Sequence, residues 1–343
     1  MQNYSNKNIL RGILVVLLIS GCGTKVNVPN VSHIPINVTI ERFDNQFFFI
    51  DTNNVAEGLK LLKPNYPEFL PTYIQDIMNF GPLSDTNRLL EPQVHQFLTN
   101  KDFRALQDSV DVHFADIKPL EAELTQAFRL TKYYLPAFHA PKRVITFMSA
   151  IGNYAAITVD SILGIGLDMH MGADFPIYGM VPDYPDYIVR KFTPENITPN
   201  VMKVLYQNYF PLNDKNVKLI ERFIELGKQQ YFLEKVLPEV PEDIRIGYTK
   251  EQLKYCKENE QMIWQYFVQN KLLYTTDWQD IVRYTGEGPS TQGLPGEVPG
   301  QIGSFTGYRI VKKFMEKHPD VTLEKLLGTK DVISIFNEAK YRP

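Results

Sequence analysis

Hydrophobic residues at helical spacing dominate two long stretches of the chain. Between residues 54 and 135 they recur every three or four positions, and prolines divide the stretch into several segments. Such spacing places the apolar side chains on one face of a helix. The clearest run is Phe69, Tyr73, Ile77 and Phe80. The pattern returns after Pro194 and continues to about Lys340, so both stretches are predicted to be helical.

A short region between these stretches is typical of β-strands instead. Arg143–Ser149 and Ala155–Ser161 are rich in β-branched and aromatic residues, and Ile162–Asp168 follows directly. A turn-like segment, Ile151–Tyr154, separates the first two runs. These features predict a small antiparallel sheet. The fold class is therefore predicted to be α+β and mainly helical, with helices packed around that sheet.

The domain organisation follows from the same pattern. Residues 37–343 are predicted to form a single domain. Its parts are a helical N-terminal half (37–140), a small sheet (141–170) and a helical C-terminal half (190–343). A hydrophobic fraction of 44% and an aromatic fraction of 12% are sufficient for a large core.

The first 22 residues are typical of a bacterial lipoprotein signal peptide. Lys7 and Arg11 precede an apolar run from Ile13 to Ile19, and two small residues then lead to Cys22. The run is too short to cross a bilayer, which needs about 20 residues. We therefore expect residues 1–21 to be removed and lipid on Cys22 to attach the protein to a membrane. Residues 22–36 are predicted to be a tether.

Charge and cysteine usage narrow the remaining classes of function. The net charge is −3, and no basic patch supports nucleic-acid binding. The chain has two cysteines, and lipid on Cys22 would leave Cys256 without a partner. Cys256 lies within a helical pattern, so it is predicted to be a packed thiol, with a reactive thiol as the alternative.

Motifs that carry enzyme chemistry are missing from the sequence. No two histidines stand three or four residues apart, and no His-Glu-x-x-His, Gly-x-Ser-x-Gly or phosphate-binding glycine motif is present. No catalytic residue, metal or cofactor is therefore assigned. Asp168, His170 and Asp174 could meet at a metal ion. The favoured interpretation is a turn whose side chains bond the backbone, since Gly172 and Pro176 follow.

Two loops offer a further possibility. Pro182–Tyr187 repeats a Pro-Asp-Tyr triplet. The favoured interpretation is that its aromatic rings fasten the loop to the body, and the alternative is an exposed interaction loop or glycan platform. Gly286–Gly300 is long, rich in glycine and proline, and without pattern, as functional loops often are. The two loops could form the walls of a ligand site. Trp264 and Trp278 are expected in or near the core.

Several segments, taken in order, resemble the GldB family of gliding-motility lipoproteins from Bacteroidetes. The resemblance covers nearly the whole chain after Cys22. It implies an outer-membrane lipoprotein associated with gliding motility and the linked type IX secretion apparatus. It also implies other envelope proteins as partners and no established enzyme activity. Because no acidic residue directly follows Cys22, the periplasmic face of that membrane is expected by analogy with other lipoproteins. The segments are Ile40–Asp44, Phe47–Phe48, Gly166–Tyr178, Gly227–Lys228, Tyr231–Leu233, Ile246–Tyr248, Glu297–Gly303, Gly307–Val311 and Ala339–Pro343.

The chain is also distantly similar to a family of predicted zinc-dependent proteases. The helix that would carry their His-Glu-x-x-His corresponds to Asn200–Phe210, which has no histidine. Glu225 corresponds to their third ligand, but one carboxylate cannot hold a catalytic zinc ion. The similarity implies a degenerate, zincin-like fold without catalysis. Asp168, His170, Asp174 and Glu225 would then belong to a former cleft that binds peptide or glycan, and an active envelope peptidase or hydrolase is the alternative.

Overall fold

A computed structural model describes residues 28–84, 86–212 and 216–343. The predicted signal peptide and Cys22 lie outside these residues. No helix in the described ranges has the length and apolar character needed to cross a membrane.

Helices account for most of the described chain, as the spacing of apolar residues predicts. The first six are α1 (Phe43–Phe48), α2 (Val55–Leu62), α3 (Phe69–Thr72), α4 (Leu90–Thr99), α5 (Lys101–His113) and α6 (Lys118–Tyr134). A π-helical turn, Tyr73–Ile77, extends α3. The C-terminal part contains α7 (Asp186–Val189), α8 (Ile197–Tyr209), α9 (Leu219–Val236), α10 (Glu242–Ile246), α11 (Lys250–Glu258), α12 (Glu260–Gln269), α13 (Trp278–Thr285), α14 (Ile302–Lys317), α15 (Leu323–Gly328) and α16 (Val332–Ala339).

The sheet is mixed and has four strands, so the prediction of an antiparallel sheet is wrong. Its strands are β1 (Ile40–Arg42), β2 (Arg143–Phe147), β3 (Ala156–Val159) and β4 (Ile162–Gly166), in the spatial order β1-β2-β4-β3. Only β3 and β4 form an antiparallel hairpin. Strand β4 lies between β2 and β3. It pairs parallel to β2, and β2 pairs parallel to β1.

The sheet separates two hydrophobic cores. Along β2, Val144 faces one core while Ile145 and Phe147 face the other, because successive side chains of a strand alternate between faces. The N-terminal core is built from α1 to α5 and is rich in aromatic rings. Tyr73, buried within it, donates a hydrogen bond of 2.9 Å to the carbonyl of Met148. The larger core lies on the other face, under the C-terminal helices.

Helix α9 is the centre of the larger core, and its most extensive contact is with α14. The two helices cross at Gly227 and Gly307, where a Cβ on Gly227 would lie 2.8 Å from the Tyr308 nitrogen. Cys256 is fully buried and its pKa is raised to about 12 by burial, which confirms the packed thiol. Trp264 is half-buried against Phe336, whereas Trp278 is 60% exposed, so its expected place near the core is wrong.

The segment that precedes β1 lies against the body. Val31 is buried, and Arg129 donates a hydrogen bond of 2.8 Å to the carbonyl of Ile36. Residues 28–36 of the predicted tether therefore have fixed positions on the domain. Val28 is six positions after Cys22, and a fully extended chain of that length spans at most about 20 Å.

Candidate functional site

A turn of unusual backbone conformation follows β2. Ala150, Ile151 and Asn153 have φ angles of 55°, 61° and 66°. This left-handed region costs an ordinary residue about 1–2 kcal/mol, and a β-branched residue such as Ile151 rarely adopts it. A buried side chain from the end of β4 holds the turn in place.

That side chain is Asp168, which is fully buried. Its carboxylate accepts hydrogen bonds from the backbone nitrogens of Ser149 (2.9 Å) and Ile151 (2.7 Å), and from the Ser149 hydroxyl at 3.0 Å. Burial raises the pKa of Asp168 to about 6, although these three donors favour the charged form. The Asp168 side chain thus bonds the backbone of the turn that follows β2.

His170 is also fully buried, and it orients a helix residue. Its Nδ1 lies 2.9 Å from the carbonyl of Gly166, and its Nε2 lies 3.2 Å from the Asn200 side-chain nitrogen. Because a carbonyl only accepts, Nδ1 carries the proton and Nε2 accepts from the Asn200 amide. Burial lowers the pKa of His170 to about 4, which keeps the ring neutral. The ring thus fixes the orientation of the Asn200 amide.

The other predicted cleft residues lie elsewhere. Asp174 is exposed on the loop after the His170 turn. Glu225 lies on α9, pairs with Lys228 at 3.1 Å, and lines a different cavity, near Thr329. Within residues 28–84, 86–212 and 216–343, no three His, Cys, Asp or Glu side chains are placed to hold a metal ion. The structure therefore brings together only Asp168 and His170 of the four.

A polar cavity of about 670 Å³ lies beside the strained turn. Its walls come from the turn and the start of β3, from the segment 183–192, from α8 and α9, and from residues 285–304. Both loops that the sequence suggested as walls of a ligand site contribute, through Tyr184 and Tyr187 on one side and Glu287 on the other. The volume lies within the range of small-molecule sites, about 300–1,000 Å³.

Hydrogen bonds fix both loops. The Tyr184 hydroxyl donates to the carbonyl of Ile151 at 2.6 Å, and its ring meets Phe192 edge-on at 5.2 Å. The glycine- and proline-rich loop is closed by a bond of 2.8 Å from the Gln301 nitrogen to the Gly286 carbonyl. Within the loop, the backbone nitrogen of Thr291 donates a hydrogen bond of 2.8 Å to the carbonyl of Val298, and the Val298 side chain is fully buried. Both walls are therefore anchored to the body.

The charges in the cavity are only partly paired. Lys191 and Glu287 form an ion pair of 2.5 Å, and Glu287 also accepts from the Gln301 amide at 3.0 Å. Lys203 of α8, in contrast, has no hydrogen bond or ion pair with any described residue. Burial, and then the nearby charge of Lys191, lower the pKa of Lys203 to about 8. Gln230 of α9 is 8% exposed, and its amide likewise lacks a described partner.

The wall of the cavity that α8 forms corresponds to a polar pattern in the sequence, which the known motifs do not include. Asn196, Asn200, Lys203 and Gln207 follow one another at intervals of three and four, and all four line the cavity. This spacing places them on one face of α8. A polar stripe on a helix normally faces solvent, so the sequence could not indicate that this one faces a cavity between α8 and α9.

The fold and site together define a mainly helical α+β protein with a polar cavity. A family model described as gliding motility protein GldB matches residues 24–343. The chain belongs to this family, which confirms the resemblance found in the sequence, and its role is related to gliding motility. Searches of characterised proteins and of solved structures gave no match. The zincin-like relationship stays a prediction.

Proposed function

We propose that this protein is a lipid-anchored component of the outer membrane, on its periplasmic face, that supports gliding motility and the associated type IX secretion apparatus. Its role is to bind other envelope components without catalysis. The observation that carries this proposal is the family match over residues 24–343. The lipoprotein pattern that ends at Cys22 supports the anchor.

The geometry near the N terminus is compatible with close attachment to a membrane. Val31 is buried in the body, and Val28 is only six positions after Cys22. Lipid on Cys22 would therefore keep the start of the folded body within about 20 Å of the bilayer surface. Two or more acyl chains on Cys22 would make such attachment stable.

The arrangement of Asp168 and His170 supports a structural role for these residues. The Asp168 carboxylate is engaged by three donors, and both ring nitrogens of His170 have partners. Groups that are bonded in this way hold the turn and α8 in position. Lys203 and Gln230, which lack partners among the described residues of the site, are suited to binding.

A second candidate is an envelope peptidase or hydrolase, or its inactive ligand-binding derivative. The polar cavity beside α8 favours the ligand-binding form, because α8 occupies the place of the zinc-binding helix in the distant resemblance. Zinc content distinguishes the forms. Purified protein with one zinc ion per chain, or cleavage of envelope peptides, would support the enzyme.

The proposal is tested in a gliding host whose own copy of the gene is deleted. Strains carrying the wild type, Cys22→Ala or Cys256→Ala are compared for palmitate labelling, outer-membrane fractionation, colony spreading and type IX secretion. The Cys256→Ala variant is the matched control, because it removes the other cysteine. We expect only Cys22→Ala to lose the label, the membrane fraction and spreading.

Two outcomes would contradict the proposal. One is a palmitate label that survives the Cys22→Ala substitution. The other is full spreading and secretion in the deleted strain without any copy of the gene. Affinity capture from detergent-solubilised envelopes, with the Cys22→Ala strain as background, then identifies partners. We expect gliding or type IX secretion proteins in the wild-type sample alone.

A further inference from the structure

We propose that the cavity between α8, α9 and the two anchored loops is a binding site for a carboxylated sugar. The site goes beyond the proposed anchoring and gliding role, and it is tested separately from them. Three features carry it, each judged on the part of the chain that the structure describes: a free ammonium group, a buried amide without a partner, and an aromatic ring that no other ring covers.

The free ammonium group belongs to Lys203. It is half-buried in the cavity wall, and no described residue pairs with it. The neighbouring Lys191 forms an ion pair of 2.5 Å with Glu287. Among the described residues, Lys203 therefore carries the one unpaired positive charge in this wall. A desolvated cation without a partner is unfavourable, and a ligand carboxylate would stabilise it with a charge-assisted hydrogen bond.

The amides set the polar character of the ligand. Gln230 is more than nine-tenths buried, lines the cavity, and has no hydrogen-bond partner in the described chain. The NH₂ group of Asn200 donates a hydrogen bond to His170, which orients the amide. The amide oxygen is left as an acceptor for a ligand. Each amide can donate and accept, as a sugar hydroxyl also can. Gln207 and Gln229 line the same cavity, and their amides also have no hydrogen-bond partner among the described residues.

An aromatic ring lies at the loop side of the cavity. Tyr187 is half-buried. Within the described residues its ring contacts no other aromatic ring, and its hydroxyl has no hydrogen-bond partner. The ring offers an apolar face beside polar groups, which suits the C–H face of a pyranose. The exposed carboxylate of Asp183 also lines the cavity. The combination of amides, one unpaired cation and one open ring favours a carboxylated sugar over an acidic peptide.

The test is isothermal titration calorimetry on the full chain, purified in detergent. The probes are sodium glucuronate and N-acetylmuramic acid, with glucose and N-acetylglucosamine as their neutral counterparts. We expect each acid to bind at least about tenfold more tightly than its neutral counterpart, because a hydrogen bond to a charged group is stronger than a neutral one. A glutamate-rich tripeptide is titrated in parallel.

Variants assign the binding to the cavity. Lys203→Met keeps most of the length of the side chain and removes its charge. Gln230→Met keeps the size of the side chain and removes the hydrogen-bonding groups of the amide. Lys60→Met is the matched control, because Lys60 is an exposed lysine on α2. We expect the acid probes to bind at least about tenfold more weakly to Lys203→Met and more weakly to Gln230→Met, and unchanged to Lys60→Met.

A thermal-unfolding scan separates loss of binding from loss of fold. Lys203→Met should unfold at a higher temperature than the wild type, since it removes an unpaired charge, while it loses affinity. Absence of binding by both acids, equal binding of acid and neutral sugars, unchanged affinity of Lys203→Met, or preference for the tripeptide would each overturn the proposal. Membrane attachment should be the same in Lys203→Met and the wild type, so failure of the anchor and failure of the sugar site are distinguishable.

Discussion

The crossing of α9 and α14 gives the sharpest test of the packing described here. The two helices approach so closely at Gly227 and Gly307 that neither position has room for a side chain. A Cβ on Gly307 would lie 3.1 Å from the Gly227 nitrogen and well inside contact distance of the Phe223 carbonyl. Carbon atoms in contact prefer about 3.5–4.0 Å. The substitution Gly307→Ala should therefore force the helices apart.

The magnitude follows from two opposing effects. Alanine is favoured over glycine within a helix by about 1 kcal/mol. Overpacking of a core costs about 1–3 kcal/mol and sometimes more, and here the clash is with backbone atoms, which cannot rotate away. Separation by 0.5–1 Å also removes about a quarter to a half of the dispersion energy at the crossing. We expect Gly307→Ala to lower the free energy of unfolding by at least about 2 kcal/mol.

Urea denaturation followed by far-UV circular dichroism measures this loss, provided that the slope with urea is unchanged. The matched control is Gly328→Ala at the exposed end of α15, where an added Cβ would have no neighbour within 4 Å. That control should gain up to about 1 kcal/mol. A Gly307→Ala protein as stable as the wild type would refute the close crossing.

Three further predictions concern buried titratable groups. The pKa of Asp168 is raised from 3.8 to about 6, so its contribution to stability is present below pH 3.8 and is lost as the pH rises through 6. Between pH 4 and pH 7 the free energy of unfolding of the wild type should therefore fall by about 2.4 kcal/mol relative to that of Asp168→Asn. An unchanged difference between the two proteins would contradict this. The pKa of Lys203 is lowered to about 8, so its charge destabilises the fold below pH 8. Lys203→Met should be more stable than the wild type at pH 7, by up to about 3 kcal/mol, and this advantage should disappear between pH 8 and 10.5. Cys256, whose pKa is raised to about 12, should resist iodoacetamide at pH 8 until urea unfolds the chain, and rapid native labelling would disprove its burial.

Apolar spacing predicted the helical character of the chain, but the order of the strands could not be predicted from it. Strands β2 and β4 are buried on both faces along most of their length, so their sequences carry no regular alternation of apolar and polar residues that would specify a partner. The hairpin of β3 and β4 is local, and its antiparallel pairing was expected. The insertion of β4 beside β2 depends on long-range packing against both cores.

The residues of the candidate site likewise divide into those that the sequence indicated and those that only the fold brought together. Asp168 and His170 were identified as a polar cluster near a strand end, yet their partners Ser149 and Asn200 come from separate parts of the chain. Asp174 and Glu225 were grouped with them by sequence position and by resemblance, and the fold places them apart. Lys203 and Gln230 were missed, because a polar residue on a helix gives no indication of which element covers it.

The sequence by itself determined the lipoprotein pattern at Cys22, the helical stretches, the packed thiol and the family, because each depends on local spacing or on ordered segments. The tertiary structure alone decided the strand order, the place of the exposed Trp278, and the polar cavity. The physical reason is that the cavity is formed by five segments distant in the chain, whose approach is set by the burial of apolar faces elsewhere. The free charge of Lys203 is a consequence of that packing, and no local pattern records it.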